Sequence, residues 1–113
     1  MSEFNYGLII HGGAWDIPDE TVSDHLKGMK NAREIGYPLL EEGTSALDVV
    51  EEVVAYLEDD ATFDAGKGSF LNTLGEIEMD AIIATDEYKL ASICGIQNVR
   101  NPVRIARKLL ENN

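Results

Sequence analysis

The segment 59–76, Asp-Asp-Ala-Thr-Phe-Asp-Ala-Gly-Lys-Gly-Ser-Phe-Leu-Asn-Thr-Leu-Gly-Glu, constrains this chain more than any other. It follows neither the helical nor the strand period, it concentrates glycine and polar residues, and it is too long for an ordinary connection in a small domain. A loop of this kind has to be fixed by elements on both sides, and ordered loops carry function more often than packing.

Upstream of the loop the spacing predicts one strand and two helices. Tyr6–Ile10 is a short apolar run halted by His11-Gly12-Gly13, which suits a buried strand entering a turn with unusual backbone angles. Thr21 with Asp24 three residues on reads as a capping box. The helix it opens carries Leu26, Met29, Ala32 and Ile35 toward Leu39-Leu40, with Pro38 expected to kink or split it and Gly43 to end it. Ser45 with Asp48 restarts, and Ala46, Leu47, Val49, Val50, Val53, Val54 and Leu57 form a broad apolar face. Glu41, Glu42, Glu51, Glu52 and Glu58 are assigned to the solvated side.

Downstream, Ile77–Thr85 and Lys89–Ile96 flank Asp86-Glu87-Tyr88 and signal an antiparallel hairpin. Asn101-Pro102 then reads as a cap followed by a first-turn proline, opening a helix through Val103, Ile105, Ala106, Leu109 and Leu110. The order is strand, helix, helix, loop, strand, strand, helix, an α/β (α+β) arrangement with helices layered on an antiparallel sheet. With 113 residues, of which 44% are hydrophobic, the expectation is one core and a single domain over 1–113.

Charge narrows the classes of partner. Twenty-one acidic residues against nine basic ones leave −12, so a phosphate backbone or an anionic membrane would be repelled. No nucleic-acid or membrane partner is expected. The balance is −11 over 1–60, −4 over 61–96 and +3 over 97–113, so the basic end could meet an acidic partner or the front half of its own chain. A lone Cys94 makes no intrachain disulfide, and no charged start followed by a long apolar run is present. A cytoplasmic protein is the expectation.

Several chemistries fail on spacing. Gly66-Lys67-Gly68-Ser69 is not a Walker loop, because Gly68 separates the lysine from the serine. His11-Gly12-Gly13-Ala14 could serve as an esterase oxyanion loop only with a G-x-S-x-G elbow, and the sequence has none. His11 and His25 are too few and too far apart for a histidine metal site. Cys94, with no His or Arg beside it, reads as a small core residue. Asp80 interrupts an apolar pattern at a strand start, and a carboxylate there is expected to accept backbone amides from the glycine loop, with direct catalysis the alternative.

Four motifs in register point further. Leu8-Ile9-Ile10-His11-Gly12-Gly13-Ala14, Ser45-Ala46-Leu47-Asp48, Phe63-Asp64-Ala65-Gly66-Lys67-Gly68-Ser69 and Glu78-Met79-Asp80-Ala81 resemble plant-type L-asparaginases, also called isoaspartyl aminopeptidases. The stretch Gly95-Ile96 with Asn101-Pro102-Val103 and Ala106-Arg107 is similar to the same family's next segment. Trp15 stands where many relatives carry Gly, and Asp64 where an Asn is common.

The resemblance implies an N-terminal nucleophile hydrolase, here a partial αββα sandwich corresponding to the front of the α subunit. Such enzymes cut themselves to expose a threonine whose hydroxyl attacks and whose own α-amine is the base. The implied substrates are L-Asn and β-aspartyl peptides. None of Thr21, Thr44, Thr62, Thr73 and Thr85 lies in a Gly-Thr-Val-Gly context, and Thr44, after Gly43, reads as cap chemistry. No catalytic residue is therefore expected within these residues, and the chain alone is expected to be inactive. Gly12, Gly13 and Asp64 are assigned to support of the pocket. The backbone carbonyls of Leu57, Glu58, Asp60, Phe63, Ala65 and Lys67 are implied ligands of a structural sodium ion, with no other cofactor. A C-terminal part or β subunit and a second copy of the chain are the expected partners. A non-enzymatic truncated scaffold and a piece of a glycosylasparaginase-like threonine hydrolase are the alternatives.

Overall fold

A computed structural model describes residues 5–112. Helix α1 covers Val22–Glu41, α2 Ala46–Asp59 and α3 Pro102–Glu111, while strands β1 (Met79–Ala84) and β2 (Leu90–Ile96) form a two-stranded antiparallel sheet. The mixed α/β class read from the sequence holds.

Residues 6–10 are not a strand: no ladder partner reaches them among the described residues. Leu8 and Ile10 nevertheless pack on the core while Ile9 is 97% exposed, so the side chains alternate with the strand period although no ladder forms. The first helix also departs from expectation at both ends. The Thr21 hydroxyl donates to the Pro18 carbonyl at 3.0 Å, closing the 3-10 turn Asp19–Thr21, and caps nothing in α1. Pro38 neither splits nor ends the helix. It lies in the last turn, where the missing N–H costs a single intrahelical bond. Gly43, at φ +83°, then turns the chain, with its amide on the Leu40 carbonyl and that of Thr44 on Leu39. The expected restart is present, since Ser45 Oγ accepts the Asp48 amide at 3.2 Å.

Two apolar clusters share α2. On one side Ala32, Leu40, Val49, Val53, Leu57 and Phe63 join α1, α2 and the long loop. Gly36 makes that contact close, because a Cβ there would sit 2.6 Å from Val53 and 2.7 Å from Leu8. On the other side Ala55, Ile83, Val103 and Ala106 join α2, β1 and α3. The hairpin register runs Met79↔Ile96, then Ala81↔Ile93, so Cys94 and Gly95 together face Asp80 in a bulge. Gly95, at φ +67°, supplies the bulge conformation, and its amide donates to Asp80 Oδ1 at 2.8 Å. Asp80 is thus exposed and bonded to a glycine of the facing strand instead of the loop. The same bulge leaves Cys94 on the outer face, so the expectation of a core cysteine is corrected.

The basic end does meet the acidic front half. Arg104 pairs with Glu51 and Glu52, and Arg107 with Asp48, Glu51 and Glu111, all at 2.8–3.1 Å. Arg100 makes a two-bond fork to Asp59 at 3.0 and 3.1 Å. Glu58 corrects the sequence reading most sharply: it is buried, not solvated, at 3% exposure. Asn101 is not a side-chain cap either, because its amide nitrogen points back to the Ala55 carbonyl and the Glu58 and Asp59 carboxylates.

Candidate functional site

The glycine turn is set down directly on the helical layer. A Cβ at Gly12 would lie 2.7 Å from Met29 Sδ and 3.1 Å from the Phe63 ring, so the backbone there takes the place of a side chain. Gly13, at φ +112°, turns the chain, and its amide donates to His11 Nδ1 at 3.1 Å. Asp64 arrives from the long loop, exposed, with Oδ1 accepting the Phe70 amide at 3.0 Å. Gly12, Gly13 and Asp64 line one cavity of about 510 Å³, together with Leu57 and Phe63. The three residues singled out from sequence are therefore neighbours in space.

Behind that cavity the chain from α2 into the loop doubles back on its own carbonyls. At Gly66, φ +51°, a Cβ would collide with the Glu58 carbonyl oxygen, and at Gly68 it would collide with those of Phe63 and Ala61. Of the six carbonyls named above, Asp60 and Ala65 accept the amides of Phe63 and Gly68 at 3.3 and 3.0 Å. Leu57 and Glu58 belong to the last turn of α2, whose carbonyls lack intrahelical donors and carry the negative end of the helix dipole. Main-chain oxygens are the donor type that a hard, oxygen-seeking cation takes. Of the six, the Glu58 and Phe63 oxygens are the ones that abut Gly66 and Gly68. Among the described residues, no cluster of His, Cys, Asp and Glu side chains could hold a metal.

Two carboxylates next to the loop are tuned in opposite directions. Burial pushes the Glu58 carboxyl above its ordinary value, with the Val103 amide at 3.1 Å and the Asn101 side chain partly offsetting it. Burial also raises Asp60, but there the Thr62 amide and hydroxyl, the Tyr56 hydroxyl and the nearby His25 outweigh it and leave the group below the usual range. Glu58 escaped the sequence reading although a signal was present. Leu47, Glu51, Val54 and Glu58 recur at helical spacing on one face, and that face is the one α3 covers. The aromatic group of Trp15, His25, Phe63 and Phe70 was likewise missed, since four residues scattered over the first 70 show no local pattern.

The asparaginase family profile matches residues 4–113, essentially the whole chain. The chain belongs to the asparaginase family. Among asparaginase-family relatives, an isoaspartyl peptidase/L-asparaginase of Xenopus laevis is 43% identical over 105 residues, and that of Homo sapiens 42% over 106. A plant-type L-asparaginase of Pyrococcus horikoshii is also 42% identical over 106. Each alignment takes in 92% of this chain and 34% of the relative, so the chain spans about a third of the length of the curated asparaginases it matches. Among the described residues no helix is long and apolar enough to cross a membrane.

Proposed function

We propose that this chain forms the front of the α subunit of a cytoplasmic L-asparaginase/isoaspartyl peptidase, an N-terminal nucleophile hydrolase acting on the side-chain amide of Asn or on β-aspartyl peptides. The observation that carries the reading is the meeting of the Gly12–Gly13 turn and Asp64 at one cavity, the two motifs through which the sequence most resembles the family. The role assigned here is to wall and support the pocket. The nucleophile, a threonine freed by autoproteolysis, comes from outside these residues. Its hydroxyl oxygen bonds to the amide carbon while its α-amine takes the proton. That proton then leaves with ammonia or the released amine, and water cleaves the ester.

Glu58, Asp60, Phe63, Ala65, Lys67 and Leu57 would hold sodium through their carbonyls. The ion would supply positive charge at the end of α2 and fix the loop that carries Asp64. Further partners in this reading are the β subunit and a second copy of the chain.

The test compares the complete gene product with residues 1–113 alone. The first should release ammonia from L-Asn and aspartate from a β-aspartyl dipeptide, and the second neither above a blank. Loss of the nucleophile alone forfeits most of an acceleration of ~10⁶-fold or more. Hydrolysis by residues 1–113, or none by the complete product, would overturn the reading.

A further inference from the structure

Asp64 is exposed and reaches the cavity beside the glycine turn from a loop. Among the described residues its carboxylate has one hydrogen-bond partner, the Phe70 amide, 3.0 Å from Oδ1. The orientation of the carboxylate therefore depends on where residue 70 lies. Burial does not fix that residue: Phe70, Leu71 and Leu74 are 59%, 65% and 80% exposed, and Phe70 is in neither apolar cluster.

Trp15 meets the Phe70 ring. The two rings stand edge-on, with centroids 5.5 Å apart and planes at 82°, the geometry in which the positive edge of one ring faces the negative face of the other. The indole is itself anchored. Its ring lies 5.6 Å from that of His25 on α1, and Cδ1 is 3.3 Å from where a Cβ at Gly13 would be. A continuous series of contacts thus runs from Gly13 through the indole and the Phe70 ring to the Phe70 amide and the Asp64 carboxylate. It is a second connection between the two motifs that meet at the cavity, besides the Phe63 ring against Gly12. Phe63 holds the loop backbone one residue before Asp64, whereas the ring pair reaches the Asp64 side chain.

We propose that Trp15 and Phe70 are positioning residues for the hydrolysis proposed above, a role that rests on that reading: their ring pair keeps the Phe70 amide where it orients Asp64 at the pocket wall. Neither ring touches the reacting atoms. Displacing a positioned group by about 1 Å can cost on the order of 100-fold in rate. Phe70 is more than half exposed, so removing its ring sacrifices little burial and its effect falls on the rate.

Kinetics of the complete gene product with L-Asn test this. Phe70→Ala is the cleanest change, because it keeps the amide that Asp64 accepts and removes only the ring. Phe70→Ala and Trp15→Ala should each lower kcat about ten- to hundredfold with KM within about twofold, and the double variant should fall no further than the worse single one, since either change breaks the same contact. Phe70→Tyr, which keeps the ring, should restore kcat. Hydrogen exchange of the Phe70 amide should quicken about tenfold in Trp15→Ala and stay unchanged in Phe70→Tyr. An active wild type whose kcat is unmoved by Phe70→Ala, or losses that multiply in the double variant, would overturn the positioning role and leave the proposed activity standing; Phe70→Ala alone suffices if Trp15→Ala does not fold. A wild type without activity overturns the hydrolysis and the positioning role with it, and an unchanged Phe70 exchange rate in Trp15→Ala overturns the coupling itself.

Discussion

The Glu58 carboxylate accepts the backbone amide of Val103 at 3.1 Å, bridging 45 residues of sequence to close the first turn of α3. Helix N-termini leave amides unmatched, and here a buried side chain from another helix supplies the acceptor in place of the residue before the helix. Glu58→Ala would strand the Val103 amide and the Asn101 side chain, and should cost about 2–4 kcal/mol. Glu58→Gln keeps an oxygen for Val103 and should recover about half of that. Urea unfolding of the two variants measures it, and equal losses would show that volume matters and the acceptor does not.

The ion pairs between α2 and α3 set an acid limit. Asp48 is held below the usual carboxylate range by Arg107 and then Ser45, and Glu52 by Arg104. A depressed folded pKa means stability that is present above the unfolded values, 3.8 and 4.5, and is lost as pH falls through the lowered ones. Arg107→Met should therefore remove part of the stability at neutral pH and flatten its decline below about pH 4.5, with unfolding midpoints across pH as the readout. A wild-type profile as flat as the variant's would exclude the mechanism.

The loop should respond to a single methyl group. Gly68→Ala must push the Phe63 and Ala61 carbonyls aside, so it should destabilise by about 2 kcal/mol or more. It should also abolish any difference in thermal midpoint between sodium chloride and a bulky tetraalkylammonium chloride. Gly43→Ala is the control. Its Cβ meets nothing within 4 Å, and only the φ of +83° is strained, for about 1 kcal/mol and no effect on the cation response. A wild type indifferent to the cation would remove sodium from the reading.

Both edges of the two-stranded sheet lack a neighbour among the described residues, and Ile82 and Leu90 are 64% and 57% exposed on it. Sedimentation equilibrium of residues 1–113 should show self-association that Ile82→Lys with Leu90→Lys reverses. A monomer at every concentration would refute this.

The parts of the fold that sequence expressed well are those whose signal is local. Ser45 capping α2, the hairpin about Asp86-Glu87-Tyr88, and Pro102 at the start of α3 each depend on a few adjacent residues. The errors arise where a distant segment decides. Asn101 has the composition of a cap, yet three acceptors on α2 draw its amide away. Cys94 sits in an apolar run, yet one extra residue in β2 turns it outward. Gly12, Gly13 and Asp64 could be singled out by motif, but their common cavity depends on Phe63 and Met29 meeting beneath the turn, which no local spacing encodes.

The crowding of carbonyls against Gly66 and Gly68 places a constraint of the loop on positions that have no side chain. Oxygens of the main chain are supplied by any amino acid, so the exposed residue 61 can change its side chain and still present the same carbonyl. The information is carried instead by the two codons that specify no side chain at all. A saturation screen of this loop would accordingly find positions 66 and 68 as intolerant as the buried Phe63, although they contribute no side chain to any contact.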